Sequence, residues 1–337
     1  MTKTKVKTSK FHDFRERNRK SDGYLLKKTI MSWGLSLCRF ILLFGMCFLI
    51  LQPILNKISV SFMTEEDLYN PIVISIPEHF STEFYTLAAN PEILDYKNAL
   101  INSATIALTI AILQIAVCTL VGYGFARFQF PLKNFWFACV MLLILVPPQT
   151  ISSSLHLHFK FFDVFGIFKA TTGEALNLSG KVIPYYMMSA TCMGLKNGLY
   201  IFMIRQFFRT VPGDLEEAAY VDGCGTLKTF IRIMLPQGKP IITSCFLFSF
   251  VWQWTDGFYS KLFLGTTKLL STGLARLVDT LGAYMMRITG ATTSISVAYS
   301  NAVLSTGILM FIMPLIILYL FAQRAFVESI SSSGIKM

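Results

Sequence analysis

The chain has 337 residues, of which 53% are hydrophobic and 15% charged, and its formal net charge is +11. Soluble domains average roughly 25% charged residues. That shortfall, with a mean hydropathy of +0.55, excludes a soluble enzyme, a disordered protein and a secreted disulfide scaffold. A polytopic membrane protein remains.

The first 30 residues carry ten Lys/Arg against Asp13, Glu16 and Asp22, which is +7 of the net +11. This tail lacks aromatic interleaving and any nucleic-acid recognition motif, so it reads as a cytoplasmic topology anchor. The expected division is a basic cytoplasmic tail over 1–30 and a transmembrane domain over 31–337. The first apolar run starts only near Trp33, and Leu51-Gln52-Pro53 is not a small-residue cleavage site, so no cleavable signal peptide is expected.

A helical span needs about 20 apolar residues. Six segments qualify, and the predicted fold is all-α with six transmembrane helices: Trp33–Leu55, Ala99–Ala126, Phe135–Leu157, Val182–Phe208, Ile241–Leu264 and Asn301–Gln323. Arg39 sits near the inner end of the first and can snorkel to the headgroups. Pro71, Pro77 and Pro91 argue against a long helix in the loop after the first span. Lys196-Asn197-Gly198 interrupts the fourth. With both termini inside, the inner segments carry 19 Lys/Arg and the outer ones 9, as the positive-inside rule asks. The expected location is the plasma membrane.

None of the seven cysteines forms a CxxC pair, and most lie in or beside apolar runs, where cysteine acts as a small hydrophobe. Neither a disulfide framework nor a metal site is expected. The four histidines are scattered; His156-x-His158 reads as a polar helix end.

The inner segment 205–240 is too polar to lie in lipid. Pro212-Gly213 breaks the preceding helix, Asp214 is a good N-cap, and Glu217 follows three residues later, as in a capping box. Leu215, Ala218 and Ala219 are expected on one side of a short helix that Gly223 and Gly225 end. A second helix is predicted from Thr226 to Leu235, stopped by Pro236. The product is a helix–turn–helix elbow between spans four and five.

The elbow sequence Glu217-Ala218-Ala219, three residues, Gly223, nine residues, Ile233, one residue, Leu235-Pro236 resembles the EAA loop of ABC importer permeases. Asn102-Ser103, Gly122-Tyr123-Gly124-Phe125-Ala126-Arg127 and Arg205-Gln206-Phe207-Phe208 look like the carbohydrate-uptake branch. Gln323-Arg324-Ala325-Phe326-Val327 with Gly334-Ile335-Lys336 is similar to the tail of its maltose-type members. The likeness covers roughly residues 96–337 and leaves out the basic tail. Gly194-Leu195-Lys196-Asn197-Gly198 and the polar end of span five depart from the family pattern and bear on substrate identity.

The resemblance implies that Leu215, Glu217, Ala218, Ala219, Asp222, Gly223, Ile233, Leu235 and Pro236 form a coupling helix that docks on a cytoplasmic ATPase. Gly334 and Lys336 would touch the same subunit. It further implies a second permease chain, usually non-identical, two ATPase subunits and an extracellular binding protein that delivers a sugar. No GxxxxGK[ST] is present, so ATP and Mg belong to the partners, and this chain has no catalytic residue or cofactor of its own. A permease for another small polar solute is the alternative. An intramembrane enzyme or an ion-coupled secondary transporter would need acidic or catalytic groups within the spans, and secondary transporters often show inverted repeats; neither is evident.

Intramembrane charge is costly and marks candidate function. Lys196 and Asn197 are therefore candidates for the substrate path. Trp252, Trp254 and Asp256 near the outer end of span five suit sugar stacking and hydroxyl bonding, and equally an interfacial aromatic belt. Tyr185, near the start of span four, is a further candidate.

Overall fold

The computed structural model describes residues 19–20, 24–265, 267–290 and 295–334. Most of the basic tail and Lys336 lie outside the described residues. Helices run in the order α1 (Tyr24–Ser61), α2 (Glu65–Tyr69), α3 (Glu83–Ala89), α4 (Tyr96–Arg127), α5 (Lys133–Leu145), α6 (Ser152–Lys160), α7 (Ile167–Thr172), α8 (Ile183–Ala190), α9 (Asn197–Thr210), α10 (Asp214–Val221), α11 (Thr226–Thr229), α12 (Leu235–Gln237), α13 (Lys239–Thr255), α14 (Phe258–Phe263), α15 (Leu270–Thr289) and α16 (Val297–Gly334). Among the described residues the β-type pairing is an isolated one, between Phe162 and Leu176. The protein is helical and multi-pass.

Three stretches are long and apolar enough to cross a membrane: Tyr24–Ser61, Tyr96–Arg127 and Val297–Gln323. The predicted third span is not one helix. It breaks at Val146-Pro147-Pro148, and its halves meet at 96°. The cause is local: a residue before proline is pushed to extended backbone, and Val146 (ψ 117°) and Pro147 (ψ 134°) both adopt it. Span five also stops early. Asp256 turns extended after α13, and its carboxylate accepts the N–H groups of Phe258, Tyr259 and Ser260 at the start of α14. Span four splits into α8 and α9, with Cys192 and Lys196 at positive φ between them. Broken helices at membrane depth require such internal satisfaction of backbone groups.

Lipid is as apolar as leucine, so helices associate in it through close packing. Glycines set the closest approaches. A Cβ on Gly122 of α4 would lie 2.9 Å from Ile204 of α9, and one on Gly198 of α9 would lie 2.9 Å from the Val140 carbonyl of α5. Around α4 the side chains form three packed clusters. One joins Tyr123, Tyr200, Phe208, Phe230 and Met234 near the elbow; another joins Phe84, Trp254, Leu277, Leu281 and Tyr299 at the opposite end. The third holds Phe159, Tyr185, Tyr259 and Phe263. In contrast α1 is exposed along most of its length, its apolar side chains facing outward as lipid-facing side chains do.

α15 was not anticipated as an element. Its Leu270, Leu277 and Leu281 are buried on one stripe. The same end carries two polar clamps. Asp95, at φ 49° before α4, accepts from Lys268 at 2.7 Å. Asp67 accepts the His79 N–H at 2.9 Å and faces His79 Nδ1 at 3.1 Å.

Candidate functional site

The elbow starts where Val211, preceding Pro212, is extended (ψ 130°) and ends α9. The helix α10 then begins one residue earlier than expected: Gly213 is the cap, its carbonyl accepting from Glu216 and Glu217 at 2.8 and 3.1 Å. Asp214 is thus the first helical residue and makes no side-chain cap bond, so the capping box is absent. The three first-turn acids Asp214, Glu216 and Glu217 instead complement the helix dipole. At the other end, Gly223 (φ 77°) closes a Schellman turn: Gly223 N–H donates to Tyr220 O at 3.0 Å and Cys224 N–H to Ala219 O at 2.9 Å. Gly225, by contrast, is extended (φ −74°) and opens the next helix.

Pro236 does not end that helix. The segment Phe230–Met234 widens into a π turn, with Leu235 N–H donating to Phe230 O. The wider turn accommodates a proline that has no N–H and a bulky ring, and the chain continues through α12 into α13. Ile233 and Leu235 are half-buried and Pro236 exposed.

The faces of α10 also differ from expectation. Leu215, Glu217, Ala218 and Asp222 are exposed, whereas Ala219 is buried beside Glu216. Ala219 therefore packs inward and is not part of the outer patch. Glu216 is the residue that sequence reasoning missed. Its Oε1 accepts from Tyr123 Oη at 2.7 Å, and its Oε2 lies 3.1 Å from Arg127 Nε. Arg127 Nη2 donates to Val211 O at 2.6 Å. The Arg127 Nε contact is charge pairing rather than an aligned hydrogen bond. Tyr123 packs on Phe230, ring centroids 4.7 Å apart, and edge-on to Phe208. Thus α10 is fastened to the last turn of α4. The 3.6-residue period, which puts Glu216 on the Ala219 side, was the available signal. Gly334 is the last residue of α16.

The second candidate region is a cavity of about 580 Å³ at the breaks in spans three, four and five. Lys196, Trp252 and Asp256 line it together with Gln149, Cys192 and Thr255. Lys196 Nζ sits 4.9 Å from the Trp252 ring centroid. The other three candidates point elsewhere. Asn197 is buried, bonded to Gln114 and to Ser189 O. Trp254 is buried with Nε1 donating to Phe311 O. Tyr185 is buried, its one hydroxyl proton shared between Asp256 Oδ2, at 3.0 Å, and Gln253 Oε1. Gln114, Ser249 and Gln253 complete a buried polar network joining α4, α9 and α13. A glutamine in the middle of an uncharged span was its legible trace.

All seven cysteines are free. Among the described residues one set, Asp67, Glu78 and His79, brings three potential metal-ligand atoms within 4.8 Å of one another. Asp67 and His79 already satisfy each other there.

The chain is similar to known transport proteins. Residues 118–332 match the family model of binding-protein-dependent transport system inner membrane components. A probable ABC transporter permease protein of Pyrococcus horikoshii is 30% identical over 53% of this chain, and the chain spans 59% of that relative's length. A maltodextrin transport system permease protein of Bacillus subtilis is 23% identical over 72% of this chain and 76% of its own. The crystal structure of a bacterial ABC transporter involved in the import of the acidic polysaccharide alginate has a chain with TM-score 0.63 and 17% identity, covering 87% of this chain and 96% of that one. The two therefore share a fold. The family match takes in the whole elbow and the cavity-lining segments of α9, α13 and α14, and the chain belongs to the family of binding-protein-dependent transport system inner membrane components.

Proposed function

We propose that this chain is the transmembrane permease subunit of an ATP-driven ABC importer, translocating a sugar or oligosaccharide delivered by an extracellular binding protein. The observation that carries the reading is the elbow: within the family-matched region, α10 presents Leu215, Glu217, Ala218 and Asp222 outward while Glu216 ties it to α4. An exposed helix rigidly fastened to a spanning helix is what transmission of motion from an outside subunit requires. The maltodextrin relative supports a carbohydrate as cargo.

In this reading the tail, the elbow and the C-terminus are cytoplasmic, and the chain makes six passes, three of them broken. Two ATPase subunits bind ATP and Mg and dock on the two elbows of a permease pair. Their closure draws the elbows together and switches the pair between outward- and inward-facing states. A substrate or nucleotide shifts that equilibrium only through its differential affinity for the two states. This chain breaks no bond in the cargo.

Affinity purification of the tagged chain from its native membranes tests the proposal. The expected result is co-purification of an ATPase and a second permease, with ATP hydrolysis by the complex and none by the chain alone. A chain that purifies without an ATPase and still transports sugar would contradict it.

A further inference from the structure

The cavity at the broken spans has an unbalanced charge. Among its lining residues Lys196 and Asp256 carry the formal charges. Asp256 is fully engaged: Oδ1 accepts Phe258 and Tyr259 N–H at 3.2 and 3.3 Å, and Oδ2 accepts Ser260 N–H at 2.9 Å, Ser260 Oγ at 3.1 Å and Tyr185 Oη at 3.0 Å. Its charge is spent on the first turn of α14. Lys196 is not so matched. Among the described residues no carboxylate lies within 4 Å of its Nζ, and its contact is the Trp252 ring.

Position adds to the sign. Lys196 caps the N-terminus of α9, at φ 64°, so the positive end of the helix dipole and the ammonium reinforce each other. The 14 residues of α9 place it about 21 Å from that helix's elbow end. Trp252, reached along α13, lies about 20 Å from Lys239 by the same rise. Both side chains are exposed, and they face each other in the cavity. An accessible ammonium with no carboxylate beside it gives the cavity a positive charge that an anion can meet.

We propose that this cavity receives the acidic group, carboxylate or phosphate, of an anionic carbohydrate, with Lys196 as counter-charge and Trp252 as the apolar wall beside it. The proposal rests on the permease reading and narrows its substrate class.

The test uses the assembled importer in proteoliposomes, its native cysteines (Cys192 of the cavity among them) replaced by serine and one cysteine introduced in the cavity by Thr255→Cys. Modification rates are measured with an anionic thiol reagent, sulfonatoethyl methanethiosulfonate, and a cationic one, the trimethylammonioethyl analogue. With Lys196 present the anionic reagent should react faster by roughly tenfold after correction for intrinsic reactivity. Lys196→Met should bring the ratio toward one, and Lys196→Arg should preserve it. In parallel, trigalacturonate should stimulate ATP hydrolysis more than maltotriose, and Lys196→Met should abolish that difference. A ratio insensitive to Lys196→Met, no reaction with either reagent, or equal stimulation by the two sugars overturns the anionic assignment. All three leave the permease reading standing, because that reading is overturned by a different result, a chain that purifies without an ATPase and still transports sugar.

Discussion

Glu216 of α10 and Arg127 of α4 meet at 3.1 Å in a largely buried ion pair, and this contact ties the short helix α10 to the end of α4. Their side chains keep 11% and 16% exposure, so water screens the pair weakly. Tyr123 holds the second Glu216 oxygen, which leaves the carboxylate little freedom to rotate.

Removal of one partner leaves the other as a buried unpaired charge, costing about 3–5 kcal/mol. Glu216→Ala should therefore lower the thermal midpoint of the complex and uncouple ATP hydrolysis from transport. Arg127→Met combined with Glu216→Leu should cost less stability than the sum of the singles. A double-mutant cycle by thermal denaturation checks this; strict additivity would show that the pair carries no coupling.

The Asp67–His79 clamp makes the loop after α1 pH-sensitive. The hydrogen bond to Asp67 raises the His79 pKa above its ordinary value, and the His79 backbone N–H lowers that of Asp67. A raised histidine pKa gives stability that is present in acid and lost as pH rises through the folded value. A lowered aspartate pKa gives stability that is lost as pH falls through its folded value. Anchoring of residues 62–81 should thus be greatest between roughly pH 4 and 6.5. Hydrogen exchange corrected for intrinsic rate should show protection falling from pH 6 to 9, and His79→Gln should flatten that slope. A flat wild-type profile would count against the clamp.

Gly198 is limited by space. A Cβ there would meet the Val140 backbone carbonyl at 2.9 Å, and a backbone atom cannot swing aside as a side-chain tip can. Gly198→Ala should force α9 away from α5 and destabilise by about 1–3 kcal/mol. Gly213→Ala, with open space around it, serves as the control. Equal thermal midpoints for the two variants would refute the tight approach.

The sequence made the helical class, the short helix after Pro212-Gly213 and the break near Lys196 legible, because hydropathy runs and Pro/Gly punctuation are local signals. It misled wherever a local signal had a non-local resolution. Pro236 reads as a stop, yet the π turn at Phe230–Met234 absorbs it. Asp256 reads as a ligand, yet most of its capacity caps α14. Glu217 drew attention by its motif, while its neighbour Glu216 makes the buried contact, which depends on where α4 ends in space. α15 escaped because its apolar stripe is too narrow to stand out against longer hydrophobic runs.

The most direct test of the central claim is substrate-stimulated ATP hydrolysis by the reconstituted complex carrying changes on the elbow's outer surface. Ala218 is exposed on α10, so Ala218→Trp adds bulk to the outward face of that helix. Gly223, at φ 77° with open space around it, should tolerate Asn, whereas β-branched Val is strained in that conformation by roughly 1–2 kcal/mol. The account predicts normal membrane insertion for all three variants, near-normal coupling for Gly223→Asn, and loss of stimulated hydrolysis and uptake for Ala218→Trp and Gly223→Val. Wild-type stimulation and uptake in both Ala218→Trp and Gly223→Val would contradict the assignment of α10 as the coupling element.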